Sequence, residues 1–195
     1  MIQSARQEYN FMVKNHHART VSRMGFIGQE IMNFHDEVSR AIQDRRVQIN
    51  NDDAVCIANA EGDLATSFEE AGNELTLASR DWYDEISLID DEFITPLLDE
   101  MDIIKALLEI EVFGILGVYN FVDDSETVII TLALEAALWG ALFELFVSEI
   151  YTDFVIFDTL TNQKNAQIFP MLDEGLNNFR AAGNLIRNSL ANCNE

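Results

Sequence analysis

Two prolines, Pro96 and Pro170, and nine glycines are the only strong backbone breakers in a chain of 195 residues. Proline removes a backbone donor and crowds the preceding turn, and glycine costs chain entropy inside a regular element. A chain with so few of either is free to run in long helices. Between the breakers, apolar residues return every three or four positions, the period of a helix rather than a strand. The sequence therefore predicts an all-α fold: a single domain over 1–195, an elongated bundle of about five long amphipathic helices.

The first helix is expected over about 4–46, where Tyr9, Met12, Val13, Met24, Ile27, Ile31, Phe34, Val38 and Ile42 make one apolar stripe. His35, Asp36, Arg40 and Arg45 fall on the opposite, solvated side. The polar turn Asn50-Asn51-Asp52-Asp53 follows, and Asp52 or Asp53 is placed to cap a second helix over 54–88, extending toward 93. Pro96 suits a first helical turn, with Thr95 as cap, for a third helix over 96–121. Asp124 or Ser125 can cap a fourth, running to about 160. The polar run Thr161-Asn162-Gln163-Lys164-Asn165 is expected to end it before a fifth helix over 167–191. No internal repeat stands out, and no low-complexity stretch or flexible linker separates the elements.

Charge is distributed unevenly. Residues 1–46 hold seven Lys and Arg against five Asp and Glu, whereas 47–195 hold five against twenty-nine. The chain thus divides into a basic N-terminal helix over 1–46 and an acidic body over 52–195. Between 81 and 158, nineteen carboxylates face a single basic residue, Lys105. Nucleic-acid binding requires a cationic track along phosphates, and nothing after Arg46 supplies one. The basic helix is either a solvated face of its own or a partner for the acidic body, within the chain or between copies.

The fourth helix is apolar on two arcs. Leu132, Trp139, Phe143, Phe146, Ile150, Phe154 and Phe157 share one; Ile130, Leu134, Leu138, Ala141, Leu145, Val155 and Ile156 share another. A helix of this kind is normally covered on both sides, so it is expected to be the central helix of the bundle, or a surface shared with another copy or an apolar ligand. The stretch 127–143 is the best membrane-span candidate. At seventeen residues with Glu135 at its centre it falls short of the roughly 20 apolar residues a span needs. It reads as a buried helix, and no transmembrane span is expected.

Chemistry is sparse. His16, His17 and His35 all lie in the first helix and none follows a glutamate by three, so a di-iron bundle is excluded. Clustered Cys and His for zinc, a phosphate loop and a nucleophile elbow are absent from the sequence. Asp90-Asp91-Glu92 and Asp99-Glu100, with Asp102, flank Pro96 but lack the spacing and turn glycine of an EF-hand loop, and read as a solvated acidic cluster. No catalytic residue, metal site or cofactor is expected.

Cys56 and Cys193 lie 137 positions apart, outside any CxxC motif. They are either one disulfide, worth on the order of 4–5 kcal/mol on the loop-entropy account, or two free thiols. The run of 55–76, with Cys56, Ala60, Leu64, Ala71-Gly72 and Leu75, resembles the TsetseEP-type domain of insect secreted proteins. Gly117 before Asn120, a Trp-bearing helix and a closing Cys193 add to the likeness, which covers most of the chain after Cys56. The family carries a further cysteine near Ala78-Ser79, where this chain has none. The resemblance implies a secreted, helical, non-enzymatic protein of an extracellular fluid. MIQSARQEYN has no apolar centre of a leader, so a secreted chain is expected to be numbered from near its mature start.

Together these features lead to a secreted, acidic, non-enzymatic helical protein with a structural or interaction role, self-associating into a homo-oligomer. The alternative expectation is a carrier of a small apolar ligand or lipid between helices, near Trp139, Phe143, Phe146 and Phe154.

Overall fold

The computed structural model describes residues 2–48, 54–119 and 122–193. The predicted turn Asn50-Asn51-Asp52-Asp53 with its caps, and the pair Asn120-Phe121, lie outside the described residues. Everything between is helical or turn, with no strand among the described residues. The all-α class is as expected, but the described helices join into three continuous runs rather than five. They are α1 (Ile2–Gln48), then α2 (Ala54–Ile89) passing through a π-helical segment (Asp90–Ile94) into α3 (Thr95–Val118), then α4 (Ser125–Ala191).

Two expected breaks are absent for separate reasons. Pro96 cannot donate a hydrogen bond, and its ring crowds the carbonyl four residues back. The backbone widens to accommodate it: the Thr95 N–H reaches back to the carbonyl of Asp90, the five-residue step of a π-bulge. Ile89, Ile94 and Thr95 all keep right-handed helical dihedrals, so Thr95 continues the helix instead of capping a new one. The second missing break is the polar run at 161–165. Thr161 and Asn165 point inward and are buried, at 0% and 3% exposed. The start of α4 is where the sequence places it, with the Val128 N–H bonded to the carbonyl of Asp124 at 2.9 Å.

Burial along the helices repeats every eleven residues. In α1 the buried side chains are Tyr9, His16, Thr20, Ile27, Ile31, Val38 and Ile42, alternating steps of seven and four. In α4, Phe146, Phe157, Ile168, Phe179 and Leu190 stand eleven apart, as do Ile150, Thr161 and Leu172. In α2 the same step links Ala60, Ala71 and Trp82. Eleven residues in three turns is about 3.67 per turn, close to the 3.6 of a straight helix, so the apolar seam stays nearly parallel to the axis. This corrects the expectation that the chain has no internal repeat. What recurs is a buried position, filled by Tyr, Thr or Ile in turn.

The described chain forms two compact units, Met1–Lys14 with Ile86–Thr161, and Asn15–Glu85 with Asn162–Glu195. In the first unit Tyr9 stacks on Phe154 with ring centroids 5.8 Å apart and meets Phe157 edge-on at 6.1 Å. Ile94, Leu97 and Met101 are buried in the same unit, and Arg6 bonds the carboxylate of Asp102 at 2.6 Å. In the second unit α1, α2 and α4 contribute Ile27, Ile31, Val38, Ile57, Leu64, Leu172, Phe179 and Leu190 to the core. Ion pairs join its helices: Arg46 with Glu61 at 2.7 Å, Arg187 with Glu37 at 2.5 Å, and Arg23 with Asp173, Arg180 with Glu30 and Lys164 with Glu85. Cys56 and Cys193 stand at disulfide distance with Cα atoms 6.0 Å apart and are bonded. Arg6, Arg23 and Arg46 of the basic N-terminal helix thus find their acidic partners within the chain.

Candidate interaction surface

In the first unit, α3 and the first half of α4 each have a half-covered side and a bare side. On α3, Ile104, Leu108, Val112 and Ile115 are half-buried; on α4, Leu132, Trp139 and Phe143 are. The Trp139 indole N–H donates to Glu111 Oε2 at 2.6 Å, tying the two helices together. Beside it lies an open cavity of about 280 Å³, lined by Ile104, Trp139, Leu142, Phe143 and Phe146 with Glu100 and Glu149 at its edges.

Farther along α4 the expected site residues become core. Phe146, Ile150, Phe154 and Phe157 are all buried, and Phe157 is fully enclosed. Of the seven residues on the first arc, only Leu132, Trp139 and Phe143 remain partly open. Phe154 does not line the cavity, since it stacks on Tyr9.

Apart from Ile156, which is half-buried, the second arc is uncovered. Leu134 is 67% exposed and Leu145 72%, with Ile130, Leu138 and Val155 also exposed. The expected central helix, covered on both sides, is therefore covered on one. Over this stretch α3 supplies a single covering face, sufficient for one arc. The expectation of a buried helix over 127–143 fails likewise, because Val128 is the only buried residue in it. By length and composition alone, α4 contains an 18-residue window apolar enough to cross a membrane, of which 6% is buried.

Sequence reasoning missed the matching face on α3. Ile103, Leu107, Ile110 and Phe113 are exposed there, the last at 70%. Their spacing of four, three and three was legible as a helical stripe, but a second apolar stripe on the same helix hid it. Apolar faces on two neighbouring helices make a larger patch than scattered surface leucines, which need no explanation.

The acidic cluster flanking Pro96 contributes structural contacts: Asp90 accepts the Tyr9 hydroxyl and Asp102 pairs with Arg6. Burial first, and then the hydrogen bond and the charge of Asp90, push the Tyr9 phenol well above its ordinary range. Among the described residues no group of three His, Cys, Asp or Glu side chains is placed to hold a metal.

Compared with protein-family models, characterised proteins and solved structures, the chain gives no match.

Proposed function

We propose that this chain is a secreted, non-enzymatic interaction protein that self-associates by burying the bare apolar faces of α3 and the first half of α4 against a second copy. The observation that carries this reading is the pair of uncovered stripes, Ile103, Leu107, Ile110 and Phe113 on one helix and Ile130, Leu134, Leu138 and Leu145 on the other. Removing such surface from water is the main favourable term in association. Charge plays the smaller part, because three arginines of α1 are already paired within the chain. Glu135 and Glu144 interrupt the apolar run and oppose its entry into a bilayer at neutral pH, which favours protein over lipid as the cover. The secreted setting is supported by the bonded Cys56 and Cys193 and by the TsetseEP-like residues of 55–76. Sedimentation equilibrium over a range of protein and salt concentrations tests the proposal. A reversible dimer or larger assembly that survives high salt is expected. A monomer throughout, with this face bare to water, overturns it, as does a monomer that floats with neutral lipid vesicles.

The second reading, a carrier of a small apolar ligand, is favoured by the cavity beside Trp139, Phe143 and Phe146. Its volume of about 280 Å³ lies just below the roughly 300–1,000 Å³ of small-molecule sites. Native mass spectrometry of protein from its own source, before and after solvent extraction, decides it: no adduct, no carrier.

A further inference from the structure

We propose that a cavity in the second unit, separate from the α3 and α4 surface, is a binding site for a small organic cation with an aromatic or otherwise apolar body, an arylalkylamine by class. The cavity arises from side-chain size. Between Phe68 and Trp82, α2 lines the cavity with Ala71, Leu75 and Ala78 on its inward side, and α4 answers with Gly175. Large side chains above and below hold the helices apart, and small ones leave about 460 Å³ between them. That volume is within the roughly 300–1,000 Å³ range of small-molecule sites.

The floor is apolar: Ile27, Ile31, Leu172 and Leu176 are each no more than 5% exposed. The rim is anionic. Glu74 and Asp81 stand seven residues apart on one face of α2, and Glu174 joins them from α4, with no lysine or arginine lining the cavity. Asp81 pairs with its neighbour Arg80 at 3.8 Å, but among the described residues neither Glu74 nor Glu174 has an ion-pair partner, whereas Glu30, Glu37, Glu61, Glu85 and Asp173 of the same unit all do. Glu74 also lies against Gly175. A Cβ at that glycine would lie 2.7 Å from Glu74 Oε2, so the carboxylate rests over α4 at the cavity wall where Gly175 presents no side chain.

An apolar floor beneath carboxylates, two of them without an ion-pair partner among the described residues, selects a ligand by two properties at once. A ring is removed from water by the floor, and a positive charge is held by carboxylates against a low-dielectric wall, where Coulomb attraction exceeds its value in bulk water. A bare metal ion finds no oxygen donors on the floor, and a fatty acid is repelled at the rim. An amine on a ring satisfies both ends.

The test is isothermal titration calorimetry on the whole, disulfide-bonded chain with tryptamine, tryptophol and indole-3-acetate, one ring carrying positive, neutral and negative ends. In about 0.15 M salt, which screens loose surface charge, tryptamine is expected to bind at least tenfold more tightly than tryptophol, and indole-3-acetate not at all. Glu74→Gln with Glu174→Gln, both exposed positions that leave the core untouched, is expected to bring tryptamine down to the tryptophol level. Ala78→Phe, which fills the cavity, is expected to remove both, with a thermal melt confirming that the variant is folded. The proposal is overturned if tryptamine does not bind, if all three ligands bind alike, or if tryptamine binding survives the paired Gln substitutions. Success or failure here is independent of self-association, because Leu134, Leu138 and the rest of that surface belong to the other unit.

Discussion

Trp82 donates its indole N–H to Oδ1 of Asn165 at 2.7 Å, and the hydroxyl of Thr20 donates to the same oxygen at 3.0 Å. All three side chains are buried, and they come from α2, α4 and α1 of the second unit. One amide oxygen thus satisfies donors from two other helices and marks the level at which the three meet.

Replacing Asn165 with Leu strands the indole N–H and the Thr20 hydroxyl in an apolar layer. The expected cost is about 1–3 kcal/mol in guanidinium unfolding with the disulfide intact. Adding Trp82→Phe to Asn165→Leu should cost less than the sum of the two single changes, because the stranded donor is gone. Strict additivity in that cycle would show that the hydrogen bond does not hold the layer together.

Gly183 faces Phe34, whose Cε1 lies 2.4 Å from where a Cβ would be. The ring is fixed by an edge contact with Phe179, centroids 5.7 Å apart, and by the guanidinium of Arg187 above it at 5.4 Å. Gly183→Ala therefore forces Phe34 off its seat, with an expected loss of about 1–3 kcal/mol by overpacking, despite the better helix propensity of alanine. Unchanged or higher stability by thermal or chemical melting would contradict this.

Converting Cys56 and Cys193 to serine, or reducing the bond, frees a loop of 137 residues. The loop-entropy account predicts a loss on the order of 4–5 kcal/mol, seen as a lower denaturant midpoint at unchanged secondary structure by circular dichroism. A midpoint indifferent to reductant would show that the closure contributes nothing.

Tyr9 carries a pH dependence whose sign follows from its raised phenol pKa, caused by burial and then by Asp90. The unfolded phenol titrates near 10. The stability tied to protonated Tyr9 is therefore fully present below about pH 10 and is lost as pH rises toward the folded value. Chemical unfolding measured between pH 8 and about 11.5 should show a fall that Tyr9→Phe flattens. An identical fall in the variant would remove Tyr9 as its cause.

Leu134→Glu with Leu138→Glu places two charges on the bare arc of α4. Because both side chains are exposed in the single chain, the melting temperature should hardly move, while assembly in sedimentation should be lost. Assembly that persists at the wild-type level would place the contact elsewhere.

The helical class, the start of α4 at 125 and the acidic bias were all legible in the residues. Each is local: a period, a cap or a count. The expected breaks at 96 and 161–165 were misread because the groups that remove them are distant in sequence or depend on backbone adjustment. Thr95 finds Asp90 through a π-turn, and Asn165 finds Trp82 and Thr20 from other helices. The two apolar arcs of α4 were likewise plain in the sequence, but not which would be covered, since that depends on how many helices lie alongside. Periodicity belongs to the chain itself, whereas cover, register and the space left by Ala71, Ala78 and Gly175 exist only once helices meet.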